Sequence, residues 1–277
     1  IGIRDRTLAV MDAAMQADPK VRIQYVSKQS SIANSWKKWI GERQGIQATG
    51  GIAAKQALEA EFQQRVAANP EWKAAYGNLL PRMEALYEQL EPYAVARTYV
   101  NEIAGRNVEL FRLANTLHRF LILYDNSGLD AVEGRREQLL AYLQYFYEDY
   151  QPAIDREILG DLLEVYYREL DHDYLSPYVA EQVAAAGKDF DQLAEKVFAQ
   201  SVLTQPAVFL PELETDLESG LERIRTDPAY ELSRHLVETS EAKVLPAYNE
   251  IEAELEPLQR AYMAALMEVF PQRRFYP

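Results

Sequence analysis

Apolar residues recur at intervals of three and four positions along almost the whole chain, which is the period of an amphipathic helix. The strongest apolar stripes lie in the middle of the sequence. One of them ends at the turn signal of residues 126–128, and the next ends just before Pro152. The pattern therefore predicts a succession of helices joined by short connections. The apolar positions of the three strongest stripes are Leu110, Leu113, Leu117, Phe120 and Tyr124; Leu139, Tyr142, Leu143, Phe146 and Tyr150; and Leu159, Leu162, Leu163, Tyr166 and Leu170.

Polar residues stand where several of these helices are expected to begin. Asn69, Asp189 and Asp227 each precede a helical pattern and are typical N-caps, because their side chains can accept hydrogen bonds from the first backbone N–H groups. Helix ends are expected at glycines. The helix before the glycine-rich segment 45–51 is predicted to end near Gly41, with a flexible loop over 45–51.

The sequence predicts an all-α fold. No stretch combines the two-residue alternation of a half-buried strand with a hairpin turn, and no repeat of solenoid length recurs. We expect an irregular multi-helix bundle of antiparallel helices with mostly short loops, and we interpret residues 1–277 as a single helical domain.

Composition narrows the possible functions. The 277 residues are 48% hydrophobic, which is enough to build a core. A net charge of −14 disfavours nucleic acid as a partner, because binding it requires a basic surface. No apolar run approaches the roughly 20 residues of a membrane-spanning helix. The sequence has no cysteine, which excludes disulfides, thiolate metal ligands and a cysteine nucleophile.

The segment 25–45 is unlike the rest of this acidic chain. Between positions 20 and 44, six lysines and arginines accompany a single acid, Glu42. On a helix, Tyr25, Ile32, Trp36 and Trp39 form an apolar side. The opposite side is small, polar and basic, so it either lets a backbone or small ligand approach closely or is simply a serine-rich solvated face. The residues of this opposite side are Ser27, Ser30, Ser31, Asn34, Lys37, Lys38 and Gly41.

Few residues point to chemistry. Of the three histidines, His118 borders an apolar stripe and is interpreted as a core or boundary residue. Glu169 and His172 have the spacing of a di-iron bundle motif, but neither His118 nor His235 has a glutamate three positions earlier, so a helix-end cap is favoured. No nucleophile-elbow, Walker, zinc-protease or dinucleotide motif occurs. The chain alone is predicted to hold no catalytic residue, metal or cofactor.

The segment VRIQYVSKQSSIANSWKKWIGERQGI resembles the signature of the bacterial dipeptidyl-peptidase VII and XI family of serine exopeptidases. The later segments AEKVFAQSVLT and TDPAYELSRHL also look like parts of that family, so the resemblance spans nearly the whole chain. Ser35 departs from the pattern, since an aromatic residue is common there. The signature positions are Arg22, Tyr25, Ser27, Asn34, Trp36, Lys37, Ile40 and Gly41.

This resemblance implies a fold and an activity. The family carries a Ser, His and Asp triad on a chymotrypsin-like double β-barrel, and an inserted all-helical domain caps the active-site cleft. All triad residues would then lie outside Ile1–Pro277, in barrel segments on both sides of this chain. The family removes dipeptides from the free N-termini of peptides by binding the α-ammonium group of the substrate.

The resemblance also implies site residues. The helical domain's share of the ammonium site is an asparagine of the signature, which falls on Asn34; an amide oxygen can accept a hydrogen bond from –NH3+. Trp36 is expected to fix the helix by packing. Lys37 is expected to pair with acids elsewhere in the chain or on the barrel, and Ser30 and Ser31 to support the site.

The implied partners are the N-terminus of a peptide substrate and the chain's own catalytic domain, with a homodimer of the full-length enzyme left open. The resemblance further implies a periplasmic or secreted location in a Gram-negative bacterium. Two other hypotheses remain at this point. One is a free-standing helical adaptor that binds partners through its serine-rich or tyrosine-rich faces, and the other is a metal-dependent bundle enzyme.

Overall fold

The computed structural model describes residues 2–274, which form fifteen α-helices and no strand within that range. The predicted all-α class is therefore confirmed. None of the helices in the described range is long and apolar enough to cross a membrane. The helices are α1 (Gly2–Ala17), α2 (Pro19–Ala48), α3 (Gly51–Ala68), α4 (Pro70–Tyr76), α5 (Leu79–Glu102), α6 (Glu109–Ser127), α7 (Leu129–Glu133), α8 (Arg136–Glu148), α9 (Pro152–Glu169), α10 (Pro177–Ala185), α11 (Phe190–Gln200), α12 (Pro206–Thr215), α13 (Leu217–Arg225), α14 (Pro228–Thr239) and α15 (Leu245–Val269). Short π-helical segments occupy Ile103–Asn107 and Ser240–Val244, and 3-10 turns occupy His172–Tyr174 and Val202–Thr204.

The three predicted N-caps are confirmed by their hydrogen bonds. Asn69 accepts from the backbone N–H groups two and three positions ahead, at 2.9 and 3.2 Å. Asp227 does the same at 2.9 and 3.2 Å, and Asp189 accepts from the N–H three positions ahead at 2.9 Å. Each cap satisfies backbone donors that the helix cannot pair internally, and a cap of this kind stabilises by about 1 kcal/mol.

The prediction that the helix of the signature segment ends near Gly41 is wrong, because α2 continues to Ala48. Open space surrounds Gly41 and Gly45, and both adopt ordinary helical backbone conformations. The chain leaves the helical region only at Gly50, whose φ of 62° is strained for residues with a side chain. The predicted loop is thus reduced to a short turn.

The chain packs as two compact units. The first contains the described residues up to Trp36 together with Ala96–Ala242, and the second contains Lys37–Val95 together with the residues described from Lys243 onward. Both α2 and α5 contribute residues to the two units, since a boundary falls inside each of these helices. A single helical domain inserted into a barrel domain stays a prediction.

The core of the first unit is built mainly by α6 and α9. The predicted stripes lie inward on both helices, where Leu113 and Leu117 of α6 and Leu159 and Leu162 of α9 have no exposed surface. Helices α1 and α11 pack against α9, and α14 packs against α6. Burying each leucine contributes roughly 1.5–3 kcal/mol, so the burial of these stripes stabilises the folded state of this unit.

The second unit has a core of its own, formed by α3, α5 and α15. The rings of Phe62 and Tyr262 meet edge to face with their centroids 5.3 Å apart, which is a favoured aromatic geometry. Lys55 donates to the Tyr262 hydroxyl at 3.2 Å. The buried residues of this core are Phe62, Val66, Leu79, Met83, Leu86, Leu90, Leu255, Leu258, Tyr262, Ala265, Leu266, Val269 and Phe270.

Candidate functional site

Helix α2 carries the signature segment, and its apolar side is narrower than the pattern predicted. Its buried residues are Tyr25 and Ala33, both in the first unit. Ile32 and Trp36 are half-buried, whereas Trp39 is 38% exposed. The prediction is therefore correct for Tyr25, partly correct for Ile32 and Trp36, and wrong for Trp39, which lies in the second unit, where α2 buries no residue.

Tyr25 and Lys28 join α2 to the first residue of α6. The Tyr25 hydroxyl donates to Glu109 Oε1 at 2.7 Å, and Lys28 Nζ donates to Glu109 Oε2 at 2.7 Å. Lys28 also donates to the backbone carbonyl of Asp149 at 2.8 Å. Burial, reinforced by the charge of Glu109, raises the pKa of Tyr25 well above its ordinary value, so the hydroxyl keeps its proton and remains a donor.

The same end of α6 is capped from a distance by Asp155 of α9. Its two oxygens accept the backbone N–H groups of Glu109 at 2.7 Å and Leu110 at 2.8 Å, and the Tyr150 hydroxyl donates to it at 3.1 Å. Burial and then the charge of Glu109 raise the pKa of the Asp155 carboxyl to about 7, against the opposing effect of these three bonds. Asp155 thereby supplies the N-terminus of α6 with a carboxylate acceptor from another helix.

A buried ion pair links α1 to the end of α5. Arg4 donates through Nε and Nη2 to the two oxygens of Glu102, each at 2.7 Å, in the bidentate geometry that strengthens such pairs. Asn107 Nδ2 donates to the Glu102 backbone carbonyl at 2.7 Å and to Oε2 at 3.2 Å. Burial raises the pKa of Glu102, but the bonds and charge of Arg4 outweigh it and leave that pKa below its ordinary value.

These two polar networks border one cavity of about 370 Å³ in the first unit. This volume lies within the range of roughly 300–1,000 Å³ that small-molecule sites occupy. Of the residues predicted for the site, Ser31 lies on the cavity wall. This cavity is hereafter called the α2/α6 cavity. Its wall consists of Arg4, Met11, Lys28, Ser31, Ile32, Gly105, Arg106, Asn107, Glu109 and Arg112.

Asn34 is exposed on α2, and its side chain has no hydrogen-bond partner among residues 2–274. The helix around it is held against α1 by two side-chain bonds. Trp36 Nε1 donates to Asp5, and Gln29 Nε2 donates to Asp12 at 3.0 Å. The backbone on both sides of Asn34 is therefore fixed while its amide is exposed to solvent. Trp36 thus contacts α1 through a hydrogen bond as well as being half-buried, and its supporting role at a substrate site stays a prediction.

The other predicted site residues are distributed along the same helix. Ser30 is half-buried and Ser31 is exposed, and their spacing from Asn34 places all three on one side of α2. Lys37 is exposed, belongs to the second unit, and has no ion pair within the described part of the chain. The predicted ion pair between Lys37 and an acid of this chain is therefore not found among residues 2–274, while pairing with a barrel domain stays a prediction. Lys38 lies 3.8 Å from Glu42, one turn away.

His118 and the residues beside His172 make structural contacts. His118 is half-buried, as predicted, with Nδ1 2.8 Å from the Tyr230 hydroxyl. Glu169 accepts a hydrogen bond from the Tyr99 hydroxyl at 2.6 Å. Asp171 caps the 3-10 turn that follows by accepting from the Asp173 N–H at 3.0 Å. Within residues 2–274, no group of three or more His, Asp or Glu side chains could hold a metal ion.

Sequence reasoning missed the polar wall of the α2/α6 cavity. Glu109 and Asn107 flank the start of the strongest apolar stripe, where polar residues ordinarily mark a solvated helix end. Their burial comes from partners about eighty and five positions away, Lys28 and Glu102. One signal was present: Lys28 is one of six bases in a segment with a single acid, so its partner had to come from elsewhere in the fold.

The comparison with known protein families agrees with the resemblance found in the signature segment. The family model of Peptidase S46 matches residues 1–277, which is the whole chain. The chain belongs to this family. An Asp/Glu-specific dipeptidyl-peptidase of Flavobacterium psychrophilum is 32% identical to this chain over 277 residues. A dipeptidyl-peptidase 7 of Porphyromonas gingivalis is 29% identical over 275 residues.

The S46 chain spans less than two fifths of the length of these relatives. It is matched over 100% of its own length but covers 38% of the Flavobacterium protein, and the corresponding values are 99% and 37% for the Porphyromonas gingivalis protein. The fold also matches the crystal structure of Porphyromonas endodontalis DPP11 in complex with the dipeptide Arg-Glu, with a TM-score of 0.76. That match has 20% sequence identity and covers 96% of this chain and 37% of the other, so it concerns the fold alone.

Proposed function

We propose that this chain is the substrate-gating helical cap domain of a serine dipeptidyl-peptidase, and that Asn34 binds the α-ammonium group of the peptide substrate. Membership of the S46 family and the names of the relatives support the enzyme class. The part of the relatives that this chain does not cover is long enough for a separate catalytic domain. Family membership also favours this proposal over a free-standing adaptor.

The observation that carries the proposal for Asn34 is its exposed, unpartnered amide on a helix that is fixed on both sides. The bonds from Gln29 to Asp12 and from Trp36 to Asp5 hold the backbone, so little conformational freedom is lost when a ligand binds. The amide oxygen can accept from –NH3+, and such a charge-assisted bond contributes roughly 1.5–3 kcal/mol.

The proposed mechanism is a positioning one. An ammonium group held at Asn34 sets how far the substrate extends toward the nucleophile, so that the second peptide bond is the one placed for attack. The triad and the oxyanion site belong to the proposed chymotrypsin-like catalytic domain, which is the chain's main partner. We place the full-length enzyme in the periplasm or outside the cell of a Gram-negative bacterium, and a homodimer of it stays a prediction.

The test compares three variants of the full-length enzyme on a dipeptidyl substrate with a free N-terminus. Asn34→Ala should lower kcat/KM at least tenfold, which corresponds to a loss of about 1.4 kcal/mol. Asn34→Asp keeps an acceptor and adds a negative charge, so it should retain more activity than Asn34→Ala. Ser27→Ala, two turns away on the same side of α2 and also exposed, is the matched control and should be unchanged.

A substrate with an acetylated N-terminus separates ammonium binding from general damage to the site. It lacks the group that Asn34 is proposed to bind, so wild-type and Asn34→Ala enzymes should cleave it equally slowly. Wild-type kcat/KM for Asn34→Ala on the unblocked substrate would remove Asn34 from the site. Equal losses on both substrates would instead assign it a structural role.

A further inference from the structure

The turn between α2 and α3, together with the helix ends on both sides of it, forms an arm, residues 41–57, hereafter called the α2/α3 arm. Within it, Gly51 is half-buried and every other residue is exposed. Helix α2 has no buried residue after Ala33, and the first buried residue of α3 is Phe62. Helices in proteins gain most of their stability by packing one face against another element. The arm has no such face within residues 2–274.

Two exposed isoleucines flank the turn of the α2/α3 arm. Ile46 is 49% exposed and Ile52 is 61% exposed. At the base of the arm, Lys55 donates to the Tyr262 hydroxyl at 3.2 Å and ties it to the core of the second unit. Arg43 has no ion pair within the described range, in a chain with a net charge of −14. The arm thus presents an apolar tip beside a base, which complements an apolar patch with acids at its rim.

The side of α2 that carries Asn34 continues along the arm. At 100° per residue, Gly41 and Gly45 lie within about 20° of Asn34 around the helix. They follow it by roughly 10 and 16 Å along the axis. Both glycines have open space around them. A glycine inside a helix is less favourable than an alanine, but it lets the backbone of another domain approach closely.

The proposed function requires the catalytic domain on that same side. A substrate held at Asn34 by its ammonium group presents its second peptide bond within about 7 Å, since an extended chain spans at most about 3.6 Å per residue. The arm begins roughly 10 Å further along the same uninterrupted helix. The chain covers 38% of its Flavobacterium relative, so most of that relative's length is available for such a domain. The position of the arm therefore favours the catalytic domain as its partner over a second copy of the chain.

We propose that the α2/α3 arm docks onto the catalytic domain of the full-length enzyme. Ile46 and Ile52 enter an apolar patch on that domain, and Arg43 pairs with an acid at the rim of the patch. This inference rests on the proposed function, which supplies the partner. The docked arm fixes the position of α2, and therefore of Asn34, relative to the nucleophile, as the selection of the second peptide bond requires.

The test places a photo-cross-linker in the arm of the full-length enzyme. On irradiation, Ile52→p-benzoylphenylalanine should join the arm to a residue of the same polypeptide outside residues 1–277, which peptide mass spectrometry would locate. The same substitution at Ile122, a 43% exposed isoleucine of α6, is the matched control and should give at least a fivefold lower yield. Cross-links formed only between two copies, which migrate as a dimer in denaturing gels, would overturn the proposal. A yield no higher than that at Ile122 would also overturn it.

Two sets of variants examine the chemistry of docking. Arg43→Glu should lower the cross-link yield at Ile52 at least threefold, whereas Arg82→Glu, at an exposed arginine of α5 in the same unit, should leave it unchanged. Equal yields would overturn the pairing of Arg43. The double variant Ile46→Asp, Ile52→Asp should lower kcat/KM at least tenfold, and Ile122→Asp should not. These isoleucines are exposed, so folding should stay intact, as far-UV circular dichroism would verify; wild-type kcat/KM for the double variant would overturn the positioning role.

The docking proposal and the ammonium proposal fail separately. The cross-link reports a contact and does not depend on what Asn34 binds, so it forms even if Asn34→Ala has wild-type activity. Absence of the cross-link removes the docking surface and leaves the ammonium site standing.

Discussion

Removing one hydroxyl group at Tyr25 should destabilise the protein strongly. In Tyr25→Phe the ring stays buried, but Glu109 Oε1 loses its donor at 2.7 Å and the backbone N–H of Gln151 loses an acceptor at 3.3 Å. A hydrogen bond to a charged group contributes about 1.5–3 kcal/mol and a neutral one about 0.5–1.5 kcal/mol. We therefore expect a loss of roughly 2–4 kcal/mol in the free energy of unfolding.

The free energy is measured by urea denaturation at pH 7, followed by far-UV circular dichroism. Tyr145→Phe is the matched control, since Tyr145 is 77% exposed and its hydroxyl has no partner within residues 2–274. That substitution should change stability by less than about 0.5 kcal/mol. The reasoning is refuted if the two variants lose the same amount.

A double-mutant cycle locates the origin of the loss. In a Glu109→Gln background the charged acceptor is absent, so Tyr25→Phe should cost less than it does in the wild type. The difference, the coupling energy between the two residues, should be about 1 kcal/mol or more. Additive losses would mean that the Tyr25 hydroxyl acts through packing, and would contradict the hydrogen-bond account.

Two further predictions concern packing and pH. Gly220→Ala should lower the free energy of unfolding by about 1–2 kcal/mol in urea denaturation, because the new Cβ would lie 2.6 Å from the buried Leu213 Cδ2. Gly41→Ala, with open space around it, should raise that free energy by roughly 0.5–1 kcal/mol. Equal effects of the two substitutions would contradict the packing argument. The pKa of Asp155 rises from 3.8 to about 7 on folding, so the folded state holds the proton that the unfolded state loses, and this contribution to stability should fall as pH rises from about 4 to about 7. Asp155→Asn should flatten that part of the pH profile of urea midpoints, and unchanged slopes would refute the assignment.

The elements that could be predicted from the sequence are those decided by local chemistry. Asn69 and Asp227 bond to N–H groups only two and three positions away, so their capping roles need no knowledge of the fold. The stripes of α6 and α9 were also predictable, because a leucine every third or fourth position leaves the helix one face to bury. The all-α class followed from such segments.

The two wrong predictions, for Gly41 and Trp39, concern features that depend on contacts between residues distant in the sequence. Gly41 lies in the interior of α2 because nothing obstructs the helix there, whereas Gly50, in the glycine-rich segment, ends the helical run through its positive φ. Trp39 continues the period of Tyr25 yet is exposed, since the core that buries Tyr25 belongs to the first unit. A period shows which residues share a face, but only tertiary contacts decide where that face stops being buried.

Two of the bases in the signature segment, Lys28 and Lys37, lie in different surroundings. Lys28 is one of its bases, and its charge neutralises Glu109, which lies beside the buried Asp155. Without that lysine, two carboxylates would stand close together in the core, which is unfavourable. Lys28 therefore says nothing about substrate charge. Lys37, by contrast, has no partner within residues 2–274, and its pairing with an acidic face of a catalytic domain stays a prediction.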